Sequence, residues 1–76
     1  MNRKEIAIYF ANSLNFPEIE KIILYGSVAR GEDNEESDID ILIVSKDRKK
    51  TKSKIYDFVT DFLFATEVLI SHRNIN

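Results

Sequence analysis

Two aspartates, Asp38 and Asp40, stand one residue apart at the head of an apolar run, Ile41-Leu42-Ile43-Val44, and a Gly26-Ser27 pair closes an earlier apolar run, Ile22-Ile23-Leu24-Tyr25. Residues two apart on a strand share a face, so both carboxylates point the same way. Like charges on one face repel, and a carboxylate drawn out of water must be paired, protonated or bound to metal. A shared divalent cation keeps both ionised, and carboxylate oxygens suit magnesium or manganese. One strand can thus hold one or two ions, and paired ions ~3.5–4 Å apart clamp the attacking and leaving oxygens of a phosphoryl displacement. The plainer alternative is a solvated strand edge bearing two acids.

Gly26-Ser27 has its own chemistry. A glycine lets the backbone approach a bulky anion, the amides at a helix start face it as unsatisfied donors, and the serine hydroxyl adds one more. Gly-Ser is equally an ordinary turn dipeptide.

The elements that must position these groups follow from pattern. Asn2 caps a first helix with Glu5 reaching back, and Ile6, Phe10 and Leu14 form its stripe. Asn15-Phe16-Pro17 ends it, because proline neither continues a helix nor permits one just before it. Glu18-Ile19-Glu20 is expected to be a connector, and Lys21 to Tyr25 a strand covered on both faces. Ser27 to Arg30 makes one helical turn, capped by Ser27 and stopped by Gly31. Glu32 to Ser37 is a loop, and Asp38 to Val44 a second strand with Ile39 and Ile41 on the face opposite the acids. A basic linker leads to a helix marked by Ile55, Phe58, Val59, Phe62 and Leu63. Thr66 to Ile70 reads as a third strand, and Ser71 to Asn76 as a fraying end. The chain is expected to be a single domain, residues 1–76, of α/β (α+β) class: a small mixed three-stranded sheet with helices mainly on one face.

Composition narrows the partners. Net charge is −2, so nothing global indicates direct nucleic-acid binding. Charge is nevertheless segregated: Glu32 to Asp40 holds six acids and no base, and Lys46 to Lys54 six bases and one acid. That is either two solvated segments of opposite sign or an acidic metal site facing a basic, phosphate-attracting rim. There is no cysteine, which fits a reducing compartment, and the cytoplasm is the expected location. No apolar run approaches the ~20 residues of a membrane span.

Gly26-Ser27, ten residues, then Asp38-x-Asp40 resembles the G-S-x10-D-x-D signature of the nucleotidyltransferase superfamily related to DNA polymerase β. The fuller strings, Gly26-Ser27-x-Ala29-Arg30-Gly31-Glu32 and Ser37-Asp38-Ile39-Asp40-Ile41, resemble its smallest branch, the minimal nucleotidyltransferases (MNT) of bacteria and archaea. The resemblance implies the minimal nucleotidyltransferase fold. It implies that Gly26 and Ser27 hold the β- and γ-phosphates of a nucleoside triphosphate and that Asp38 and Asp40 bind two Mg2+ ions, with Mn2+ as a substitute. Family members usually add a third carboxylate from the next strand, for which Glu67 is the one candidate; a shift of one position would turn it to the other face and leave a solvated edge acid. Arg30 either contacts phosphate or pairs with Glu32. Tyr25 reads as a core residue and His72 as inert; Ser27 has no His and Asp placed to make it a hydrolytic nucleophile.

The activity implied is Mg-dependent transfer of a nucleoside monophosphate, AMP from ATP, to a hydroxyl. Seventy-six residues leave little room for an acceptor pocket, so a partner is expected to bring the acceptor. In the MNT family that partner is typically a HEPN-domain toxin, which the antitoxin neutralises by attaching AMP to a toxin tyrosine, by binding it, or both, and the resemblance leaves room for a homo- or hetero-oligomer. The competing reading is a catalytically degenerate MNT binding module that neutralises its partner by occlusion. Transfer to a small molecule, as in aminoglycoside adenylyltransferases, is a third, but those enzymes carry a second domain for the acceptor.

Overall fold

The computed structural model describes residues 2–76, in the order α1 (Arg3–Ser13), β1 (Ile19–Tyr25), α2 (Gly26–Arg30), β2 (Ile39–Ser45), α3 (Arg48–Thr66) and β3 (Ile70–Ile75). Helix α1 begins as its sequence dictates. The Asn2 side chain accepts from Glu5 N at 2.9 Å and donates to the Glu5 carboxylate at 3.3 Å, so one pair satisfies an otherwise orphaned amide and fixes the entry of the chain.

The sheet has the order β1-β2-β3, antiparallel between β1 and β2 and parallel between β2 and β3. Strand β2 alternates strictly: Ile39, Ile41, Ile43 and Ser45 are buried, and Asp40, Leu42 and Val44 take the other face. All three helices cover the isoleucine face. Phe10 of α1 is wholly buried, with its ring 5.4 Å from Phe58 and 5.1 Å from Phe62 of α3, edge to face in both cases. Val28 carries α2 into the same core.

The second face of the sheet carries no helix, so β1 is covered on one face only. Ile23 and Tyr25 are 38% and 39% exposed, and Tyr25 is therefore an open-face residue and not a core one. Strand β1 also starts earlier than its apolar run, at Ile19, with an irregularity at Glu20 in its pairing with β2.

The basic segment after β2 is helix and not linker. Asp47 caps α3, its carboxylate accepting from Lys50 N at 3.3 Å, and Thr51, Ile55, Val59 and Phe62 make the buried stripe. Thr51 hides the first turn from a hydrophobic scan because it is polar and yet wholly buried. Its hydroxyl donates to Ser45 Oγ at 3.1 Å and accepts from Asn74 Nδ2 at 3.1 Å, while Ser45 Oγ donates to Asn74 Oδ1 at 2.6 Å. A closed polar triad of this kind can sit in a core because its members satisfy one another.

The same triad explains the third strand. Residues 70–75 pair in parallel with 39–44, whereas Thr66 ends α3 and Glu67 is its C-cap, in the left-handed region at φ 58°. The Thr66 hydroxyl accepts from Val68 N at 3.2 Å and donates to Phe62 O, which turns the chain. The polar Ser71-His72-Arg73-Asn74 run is thus an edge strand with Asn74 anchored inward. No helix among the described residues is long and apolar enough to cross a membrane.

Candidate active site

Antiparallel pairing of β1 with β2 brings the two chemical half-sites together. The register sets Tyr25 opposite Asp40, so the first residue beyond β1, Gly26, lands against the Asp40 side chain. A Cβ built on Gly26 would stand 3.0 Å from Asp40 Cγ and overlap its Oδ2. Gly26 also has φ 77°. Close approach and a left-handed backbone each demand glycine here, and both demands arise where strand becomes helix.

The turn that follows is one helical turn. Tyr25, in extended conformation and without a side-chain capping bond, is its N-cap, so Ser27 lies inside the helix and not at the cap. Gly31 closes it at φ 72°; Gly31 N donates to Val28 O and Glu32 N to Ser27 O, at 3.2 and 2.9 Å. Val28, 1% exposed, pins the turn to the core. Among the described residues the Ser27 hydroxyl bonds to no other group, and the residue is half-buried beside Gly26.

Asp38 precedes β2 and is exposed; Asp40 lies within it and is half-buried. Among the described residues neither carboxylate has a basic partner, since the one ion pair joins Arg30 Nε to Glu32 Oε2 at 3.1 Å on the surface. Arg30 is thus engaged with Glu32 and both are well exposed. Two carboxylates without an ion-pair partner among the described residues fit magnesium, which typically takes one or two carboxylates and completes its shell with water and substrate phosphate.

Glu67 does not join them. It is exposed at the end of α3, three residues before β3 begins, and no three Asp, Glu or His side chains among the described residues gather to hold one ion. The residue that stands beside Asp40 on β3 is Ser71.

One residue escapes a sequence scan altogether. Arg3, at the start of α1, donates from Nε to Ser37 O at 2.7 Å and from Nη2 to Glu35 O. The loop it grips is further closed by Asn34, whose Oδ1 accepts from Glu36 N and whose N–H donates to Ser37 Oγ, each at 2.9 Å. The backbone leading into Asp38 is therefore held from 34 positions away. No sequence signal marks Arg3, since a base in the first turn of a helix opposes the helix dipole and looks like chance surface charge.

Comparison with known proteins agrees with this arrangement. Residues 8–75 match the family model described as nucleotidyltransferase domain. Two proteins of Methanocaldococcus jannaschii, both provisionally named protein adenylyltransferases, are 40% identical over 55 residues (70% of this chain, 56% of theirs) and 53% identical over 47 residues (58% and 47%). A crystal structure of a provisionally named nucleotidyltransferase from Sulfolobus solfataricus superposes with a TM-score of 0.52 at 34% identity, covering 95% of this chain and 61% of that one. The chain thus spans about half the length of the curated relatives it matches. With the Gly26-Ser27 turn packed on the Asp40 side chain, and with a family model covering nearly its whole length, the chain belongs to the nucleotidyltransferase domain family.

Proposed function

We propose that this chain supplies the Mg-dependent nucleotide site of an adenylyltransferase, which moves AMP from ATP to a hydroxyl of a protein partner. The observation that supports the reading is the contact of Gly26 with Asp40, a strand-to-helix turn set directly against a carboxylate that has no ion-pair partner among the described residues. In the reaction the acceptor oxygen forms a bond to the α-phosphorus, the bond from that phosphorus to the oxygen bridging to the β-phosphate breaks, and pyrophosphate leaves with the electron pair. The hydroxyl proton is released to solvent. Magnesium, when bound, neutralises triphosphate charge. The chain's own share is positioning: Gly26 and Ser27 would seat the terminal phosphates, and Asp38 and Asp40 would hold the metal.

The names of the archaeal relatives support a protein acceptor, and the MNT resemblance points to a tyrosine of a HEPN-type toxin, with this chain as antitoxin. A second reading, a binding module that neutralises its partner by occlusion, is favoured by one observation: Ser71, and not an acid, lies beside Asp40 on β3.

Incubation with ATP labelled at the α-phosphate, magnesium and a HEPN-domain partner separates the two. Label on the partner from α- but not γ-labelled ATP, lost in Asp40→Asn, supports the enzyme. Neutralisation of the partner without label supports occlusion.

A further inference from the structure

A groove of about 640 Å3 runs along the outer side of β3, from the level of Ile41 toward the end of the sheet remote from Asp40. One wall is a single stripe of α3, since Arg48, Lys52 and Tyr56 recur every four residues. The other is β3 itself, through His72, Arg73 and Asn74. The groove's end is tied by Asn76 Oδ1, which accepts from Arg48 N at 2.8 Å. Nothing in the nucleotide site uses any of these groups.

Three properties define what the groove accepts. Its lining includes Arg48, Lys52 and Arg73 and no acidic side chain, and among the described residues none of these cations is in an ion pair, on a chain whose net charge is negative. Tyr56 is 64% exposed, and its ring stands 6.2 Å from that of His72, giving an aromatic patch midway along the wall. Finally, β3 is the outer strand of the sheet and pairs only with β2, so its outer row of main-chain donors and acceptors has no strand partner among the described residues.

We propose that this groove docks an extended, acidic segment of a partner protein as a fourth strand on β3. An added strand meets the unpaired edge at ~3.3 Å per residue, a repeat that another polypeptide backbone matches and a nucleic-acid backbone does not. Its alternate side chains turn toward α3, where carboxylates meet Arg48 and Lys52; those between them lie over Arg73 and Ile75 on the open face. Three cations of one sign also repel a second copy of this same edge, which leaves an exposed strand selective instead of self-adhesive. The proposal stands without the nucleotide chemistry.

The test uses fluorescence anisotropy with a labelled, acetylated eight-residue peptide alternating glutamate and valine, set against the same peptide with lysine for glutamate and against an eight-nucleotide thymidine strand. The acidic peptide is expected to bind at least tenfold more tightly than either. Arg48→Glu with Lys52→Glu should weaken it at least tenfold, and Lys52→Glu alone at least threefold, with far-UV circular dichroism unchanged. Hydrogen exchange of the β3 amides should slow on binding. No binding, equal binding of the lysine peptide or the oligonucleotide, or indifference to charge reversal would each overturn the proposal.

Discussion

Gly26 lies so close to Asp40 that a side chain on the first would displace the second: a Cβ at Gly26 would stand 3.0 Å from Asp40 Cγ. The contact is a consequence of register, since Tyr25 pairs with Asp40 and the chain turns into α2 immediately afterwards. It couples the two halves of the candidate site, so that the turn at Gly26-Ser27 and the strand carrying Asp40 are packed as one unit.

Gly26→Ala and Gly31→Ala should therefore differ in kind. Both positions have left-handed backbone, at φ 77° and 72°, but a Cβ at Gly31 meets nothing within 4 Å. Gly31→Ala is expected to cost about 1 kcal/mol of stability from backbone strain and leave nucleotide affinity within twofold. Gly26→Ala should add the clash and weaken Mg·ATP binding at least tenfold. Urea denaturation and titration calorimetry on the two variants check this.

Glu67 occupies a position better suited to glycine. As a non-glycine C-cap at φ 58° it carries a conformational cost that Glu67→Gly relieves, and the substitution should raise stability by about 0.5–1 kcal/mol without reducing transfer. Were Glu67 a metal ligand, the same change would abolish activity. A single pair of melting curves and rate measurements separates the two roles.

Arg3→Met keeps the aliphatic stem and removes the donors that hold Ser37 O and Glu35 O. The expected result is a several-fold loss of Mg2+ affinity, because the approach to Asp38 loosens, with a stability loss of about 1 kcal/mol. Equal metal affinity in Arg3→Met and wild type would show that the loop holds itself.

His72 gives a pH signature. Burial against α3 pushes its pKa below the usual 6.5, only partly offset by a hydrogen bond with the Ile70 backbone. The unfolded chain consequently binds the proton more readily, and stability is fully present above pH 6.5 and declines as pH falls from there toward the lower folded pKa. Urea midpoints at pH 7.5 and 5.5 should differ more for wild type than for His72→Gln.

What could be read from sequence follows the strength of local signals. Asn2 and Glu5 declared themselves by capping chemistry and Gly31 by its place after a helical turn, and the structure places each as its pattern indicates; Asp40 lies in β2 as its spacing indicates, whereas Asp38, expected in the same strand, precedes it. The start of α3 and the whole of β3 were illegible for one shared reason. Thr51 and Ser45 are buried polar residues bonded to the half-buried Asn74, and a scan for apolar periodicity reads each as surface. Glu67 was misplaced by the same error, because moving the strand from 66–70 to 70–75 leaves it on the helix cap. Arg3 was hidden by distance along the chain, and the groove beside β3 by its dependence on two elements that sequence had set elsewhere.

The most direct test of the site is titration calorimetry of Mg2+ with a non-hydrolysable ATP analogue into wild type, Asp40→Asn and Gly26→Ala. Wild type should bind the analogue only in the presence of the metal, and both variants should lose that metal-dependent binding while remaining folded. Binding that needs no metal and survives Asp40→Asn would contradict the assignment of Gly26, Ser27, Asp38 and Asp40 to one nucleotide site.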